Sequence, residues 1–302
     1  MSVTPQDKTF LLGVGAQKCG TTWLYDYLDS HPAAKMGFIK EYHIFDGIHI
    51  PECGVFYERA RDRVAQINRI KQPEKYEQAK LWLSFYEDTE NYFEFFLKLS
   101  KSDPMTQLVG DISPSYSGLS PDIFRTIRSN LIERGFRVRV VFLMRDPVER
   151  LWSAVRMGRR KTKRQPSNPG LVFKQTEAQQ IMEVATQPKF ELRGRYDRTI
   201  AALQEVFEPE ELYFALYEEM FTPASAQALT TFLNIPHVTP DFDQISNASP
   251  KKEALSDDAQ AFVVDHYKDT YLATARLSGA EKLRELWPSF HLYEHRHETG
   301  PM

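Results

Sequence analysis

Cysteine is scarce in this chain: Cys19 and Cys53 are the only two in 302 residues, too few for the disulfide framework of a small secreted domain. Long apolar runs are missing too. The polar start, Met1 to Lys8, leads into the short run Phe10 to Val14, far below the roughly 20 residues that span a bilayer. The expectation is therefore a protein without signal peptide, membrane partner or metal framework, residing in the cytoplasm. No excess of positive charge exists either: 38 Lys plus Arg stand against 41 Asp plus Glu, a net charge of −3. A whole-protein electrostatic case for nucleic acid fails on that balance, and any anion site must be local. No internal repeat, low-complexity tract or clear linker divides the sequence, which predicts a single domain over residues 1–302 with insertions.

What is present is a strand, loop, helix grammar that recurs along the chain. Phe10 to Val14 reads as a buried strand, Gly15 to Thr22 as a turn, and Trp23 to Ser30 as the start of an apolar-periodic helix. The pattern returns at Val138 to Met144, which runs into Arg145-Asp146-Pro147 and a helix carrying Leu151, Trp152 and Val155. It returns again at Glu211 to Leu216 ahead of the helix-like Ala224 to Leu233, with a shorter strand at Gln107 to Ile112. Such alternation predicts an α/β fold with a mostly parallel central sheet flanked by helices. Two insertions stand out. Residues 56–101 read as helical and rich in aromatics, among them Trp82, Phe85, Tyr86, Tyr92, Phe93, Phe95 and Phe96; they form either helix-on-sheet core or an aromatic acceptor cleft. Residues 156–170 crowd Arg156, Arg159, Arg160, Lys161, Lys163 and Arg164 ahead of a Pro/Gly-containing stretch, predicting a mobile basic loop that is solvated, meets an anionic acceptor, or covers a cofactor.

The segment Gly13-Val14-Gly15-Ala16-Gln17-Lys18-Cys19-Gly20-Thr21-Thr22 lies where a strand hands over to a helix. Backbone N–H groups and the positive end of the helix dipole can hold a phosphate there. Gly15 and Gly20 permit close backbone approach, Lys18 adds a charge, and Thr21 and Thr22 add hydroxyls. A magnesium-using nucleotide loop places lysine directly after its last glycine and a hydroxyl directly after the lysine. Here Lys18 precedes Gly20 by two, which weakens a kinase reading while keeping a P-loop NTPase-like fold.

These residues resemble the sulfotransferases that use 3′-phosphoadenosine 5′-phosphosulfate (PAPS), in both their carbohydrate or heparan-type and their cytosolic branches. Gly15-Ala16-Gln17-Lys18-Cys19-Gly20-Thr21-Thr22-Trp23 is similar to the family's 5′-phosphosulfate loop. The strand Val140 to Met144 followed by Arg145-Asp146-Pro147 is similar to its 3′-phosphate motif, with Arg145 and Ser153 eight positions apart. The resemblance implies PAPS as donor, 3′-phosphoadenosine 5′-phosphate (PAP) as product, and no metal. It places Trp23 against adenine, where a core role is the alternative, and Tyr196 of Arg193-Gly194-Arg195-Tyr196 near the nucleotide. It also gives Lys251 and Lys252 the position of a late 3′-phosphate loop.

Sulfuryl transfer should share the logic of phosphoryl transfer: in-line geometry, electrostatic stabilisation and a base for the acceptor proton. Lys18 sits where charge builds on the 5′ side. Lys40-Glu41-Tyr42-His43-Ile44-Phe45-Asp46 resembles the Lys-Glu-x-His-x-Phe-Asp stretch of carbohydrate sulfotransferases, which implies Glu41 as the catalytic base. His43 is the rival, since imidazole titrates near neutrality. A cleft position is expected to raise the Glu41 pKa, and Lys40 is expected either to assist at the donor or to be solvated. Ser113-Pro114-Ser115-Tyr116 also matches, but Ile112 replaces the lysine of heparan-type relatives, leaving Asp111 and Ser113 to face the acceptor. The acceptor is a hydroxyl on a small molecule, saccharide or tyrosine. A nucleotide-dependent kinase and a non-catalytic nucleotide-binding module are the alternative readings. His291, His295 and His297 lack partners at metal-ligand spacing and read as a solvated tail.

Overall fold

The computed structural model describes residues 8–163, 173–242 and 254–297. Five strands form one sheet in the order β2-β3-β1-β4-β5, with every neighbouring pair parallel. The strands are β1 (Thr9–Gly15), β2 (Ala34–Lys35), β3 (Leu108–Ile112), β4 (Arg137–Met144) and β5 (Leu212–Leu216). β1 is buried along its whole length because it is central and covered on both faces. Its neighbours β3 and β4 are likewise inner parallel strands, β3 buried throughout and β4 buried from Val140 to Met144.

Close strand approach depends on residues with no side chain. A Cβ on Gly110, which pairs with Leu11, would lie 2.5 Å from the Leu11 carbonyl oxygen, an atom that cannot move aside. We therefore expect Gly110→Ala to destabilise the fold by about 1–3 kcal/mol through overpacking, read as a lower midpoint in a thermal melt.

After β1 come α1 (Thr21–Asp29), α2 (Ile44–His49) and the insertion helices α3 (Val55–Gln66), α4 (Pro73–Glu87) and α5 (Glu90–Lys101). The insertion is helical as its sequence suggests, and its aromatics form core: Trp82, Phe85, Tyr92, Phe93 and Phe96 are buried. Phe96 packs edge-on against Phe10 of β1 at 5.0 Å. α6 (Pro121–Glu133) joins β3 to β4, and α7 (Pro147–Lys163) follows β4. α8 (Glu177–Ala185), α9 (Pro188–Glu191) and α10 (Tyr196–Val206) lead to β5, and α11 (Pro223–Leu233), α12 (Asp257–His266), α13 (Lys268–Ser278), α14 (Ala280–Leu286) and α15 (Phe290–His297) complete the described chain.

Two expectations are corrected. Arg156 to Lys163 are not loop but the last turns of α7, because Arg, Lys and Met are good helix formers and the apolar Leu151, Trp152 and Val155 anchor the helix before them. Arg159 is held in place there, Nε donating to Gln180 Oε1 at 2.6 Å. Arg164 and the residues up to 170 lie outside the described residues. The C-terminal histidines are not a free tail either: they sit on α15, with His297 Nε2 2.9 Å from Asp265 Oδ1.

All five strands point their C-terminal ends to one edge. The chain leaves β1 toward β2 and β3 but crosses back over β1 to reach β4, so the strand order reverses between β1 and β4. Ligands of open α/β sheets bind outside the strand ends at such a reversal.

Candidate functional site

The β1–α1 loop lies at that crevice. Gly15 has φ +138°, and a Cβ there would meet the Pro114 carbonyl oxygen at 2.7 Å, so only glycine fits. Lys18 and Gly20 are also left-handed, with φ 73° and 93°. The loop is tied down by Ala16 N–H, which donates to the Leu143 carbonyl at 2.7 Å. Ala16, Cys19 and Thr21 are buried, whereas Gln17, Lys18, Gly20, Thr22 and Trp23 are half-buried and form the accessible face. Lys18 Nζ lies 3.9 Å from Met157 Sδ of α7. Burial, and then the charges of Arg160, Arg145 and Lys161, hold Lys18 below the ordinary lysine value; the site gathers cations before any anion enters.

Arg145 stands at the exit of β4, directly across from that loop. Its Nη1 donates to the Lys18 carbonyl at 3.5 Å, its Nη2 faces Glu149 Oε2 at 3.4 Å, and its guanidinium lies 4.4 Å over the Tyr217 ring. Arg145 Nε is buried with no protein partner, as are Nε and Nη1 of Arg156 on α7. Buried donors of this kind fit an anionic ligand. Asp146 does a different job. Its Oδ1 accepts from the N–H groups of Val148 and Glu149 and so caps α7, and both its oxygens accept from Ser289 Oγ at 2.8 and 2.7 Å. Ser153 is nearly buried on the same helix. Tyr196 is buried beneath both anchors, its hydroxyl donating to the Arg145 carbonyl at 3.0 Å and lying 3.4 Å from Cys19 Sγ. It braces the crevice from below.

The third component is the Lys40–Asp46 segment. Lys40 Nζ donates to Thr22 Oγ1 at 2.6 Å and lies 3.9 Å from Glu41 Oε1, so this segment touches the first turn of α1. His43 Nδ1 is 2.7 Å from Asp46 Oδ2, and His43 Nε2 is 3.2 Å from Glu41 Oε2. The imidazole stacks on Phe56 at 3.5 Å. Burial opposes a charge on His43, but Asp46 and Glu41 outweigh it and push its pKa up to about 9. Glu41 departs from expectation: burial does push its carboxyl up, but the His43 bond and charge, followed by Lys40 and Arg193, hold it below the ordinary range. At neutral pH the two form an ion pair.

Asp111 and Ser113 do not face an acceptor. Both are buried beneath the Lys40–Asp46 segment, Ser113 Oγ donating to Asp111 Oδ1 at 2.8 Å. Two further residues belong to the site although the sequence reading assigns them no role. Asp46 orients His43 from three positions on, a spacing that marks neighbours on a helix. Arg193, nearly buried, clamps Ser115 Oγ with Nε and Nη2 at 3.1 and 3.0 Å and adds positive charge near Glu41 and Asp46. On the opposite flank, Tyr27 and Phe242 both lie parallel to the Trp23 ring, at 5.6 and 6.3 Å. A cavity of about 180 Å³ opens beside Trp23, between Leu143, Ala215 and Met220. Lys251 and Lys252 lie outside the described residues.

No helix among the described residues is long and apolar enough to cross a membrane, and none of their His, Cys, Asp and Glu side chains group as a metal site. The sequence profile described as Sulfotransferase family matches residues 11–240. No curated protein matches the chain. Among solved structures, the sulfotransferase of Alicyclobacillus acidocaldarius superposes with a TM-score of 0.54 at 18% identity, over 89% of this chain and 95% of that one. The sulfotransferase domain of the Synechococcus PCC 7002 olefin synthase gives 0.43 at 13% identity, over 85% and 92%. With the profile covering most of its length and the Alicyclobacillus structure sharing its fold, the chain belongs to the sulfotransferase family.

Proposed function

We propose that this protein is a PAPS-dependent transferase that moves a sulfuryl group to an acceptor hydroxyl, with Glu41 as general base. The observation that carries the reading is the contact of Arg145 Nη1 with the Lys18 carbonyl, because it joins the two anion-binding motifs across one crevice. The accessible face of the Gln17–Thr22 loop suits the 5′ end of the nucleotide, and Arg145 with Ser153 suits its 3′-phosphate. The cavity beside Trp23 suits the base. Bound there, PAPS supplies an activated sulfuryl group.

The residues divide the remaining work. Glu41 is ionised, part-exposed and able to take the acceptor proton. His43 is poorly suited to proton abstraction, because in its protonated form it donates to Asp46 and Glu41 with its two ring nitrogens and has no lone pair left. Lys18 neutralises charge on the 5′ side, and Lys40 links the loop to the base. The basic end of α7, Arg160 and Lys161, favours an anionic acceptor among the small-molecule, saccharide or tyrosine hydroxyls that this chemistry reaches. The reading needs no metal and is consistent with cytoplasmic PAPS.

Titration of the purified protein with PAP and with ATP, each with and without magnesium, tests it. We expect PAP to bind more tightly than ATP and to be indifferent to magnesium. Tighter, magnesium-dependent ATP binding would make the protein a kinase with a modified loop.

A further inference from the structure

Resting on the reading of Glu41 as base, we propose that Asp111 is a positioning residue: through the hydroxyls of Ser113 and Tyr116 its carboxylate fixes the backbone from which Glu41 and His43 reach the acceptor. α2 begins after His43, whose φ is 55°, and no side chain caps the helix directly. Its first N–H groups need acceptors. The His43 N–H donates to Ser113 Oγ at 3.0 Å and the Ile44 N–H to Tyr116 OH at 3.2 Å. Those two hydroxyls pass the bonds on, Ser113 to Asp111 Oδ1 and Tyr116 to Asp111 Oδ2, both at 2.8 Å. The Tyr42 N–H, at 3.5 Å, and the Tyr92 hydroxyl, at 3.2 Å, complete the shell.

Every neighbour donates, so the shell fits an acceptor-only, ionised carboxylate. Burial pushes the Asp111 carboxyl up to about 6, against the bonds from Tyr116 and Ser113. A carboxyl that binds its proton more tightly folded than unfolded makes stability fall as pH rises from the ordinary carboxylate range to about 6. At neutral pH the charge therefore works against folding while it organises the segment that carries the base.

The test is Asp111→Asn, whose amide presents donors where hydroxyls already donate. We expect it to bind PAP as the wild type does, measured at a temperature below its own melting midpoint. Its kcat from PAPS should fall at least tenfold with whichever of p-nitrophenol, glucose or N-acetyltyrosine amide the wild type sulfates. Hydrogen exchange at the His43 and Ile44 amides should quicken. Unchanged exchange at those amides overturns the proposal even if no acceptor is turned over, which separates it from failure of the functional reading; unchanged kcat overturns it as well. Should Asp111→Asn not fold, Ser113→Ala combined with Tyr116→Phe cuts both relays and must show the same two effects.

Discussion

Glu41→Ala is expected to lower sulfuryl transfer by about 10²–10⁴-fold, the usual worth of a positioned general base, while PAP affinity stays as in the wild type. The asymmetry follows from place. Glu41 lies on the segment before α2, bonded to His43 Nε2 at 3.2 Å, and reaches the phosphate loop only through Lys40 and Thr22. Its loss removes a proton acceptor but no nucleotide contact. The pH profile carries a second signature. Glu41 is held below the ordinary carboxylate range, so the base stays ionised at neutral pH. His43 keeps its proton until about pH 9, and its bond to Glu41 is present below that value and lost as pH rises through it. Activity should therefore hold across neutral pH and change near 9, with calorimetry against PAP serving as the binding control. A Glu41→Ala protein with undiminished transfer rejects the base assignment. Absence of any wild-type transfer, with PAP still bound, points to a nucleotide-binding module.

Lys18→Ala should damage both steps. A charged hydrogen bond contributes about 1.5–3 kcal/mol, so PAP affinity should weaken by roughly 10–100-fold at moderate salt. Transfer should fall further, by about 10²–10³, since a cation aimed at developing charge contributes most in the transition state. Single-turnover rates at saturating PAPS separate the two losses. A variant that binds PAP like the wild type would show that Lys18 points away from the nucleotide.

The parts of this site that are readable in the sequence are those whose cause is local. Gly15, Lys18, Gly20 and Thr22 fall within one short stretch of chain, and the lack of a side chain at Gly15 and Gly20 permits their positive φ. β1 and β4 are visible through the runs Phe10 to Val14 and Val140 to Met144, because both faces of an inner parallel strand are buried. β2 spans only Ala34–Lys35, too short for any periodicity to register. The burial of Asp111 is not legible in the same way, because it is imposed by Tyr42, Tyr92 and Tyr116, which the fold brings together from different elements. The direction of the Glu41 shift escapes for a similar reason: an apolar setting alone raises a carboxyl, and the placed imidazole, with Lys40 and Arg193, reverses it.

Asp146 receives bonds from both the N–H and the hydroxyl of Ser289, 143 positions further along the chain. Until that serine has been synthesised, the carboxylate beside Arg145 lacks the two donors of Ser289, although the Gly15–Thr22 loop and Arg145 have already been translated. The exit of β4 therefore gains its last supports well after it has been translated, and a product cut short before Ser289 would carry the Lys18 and Arg145 segments without them.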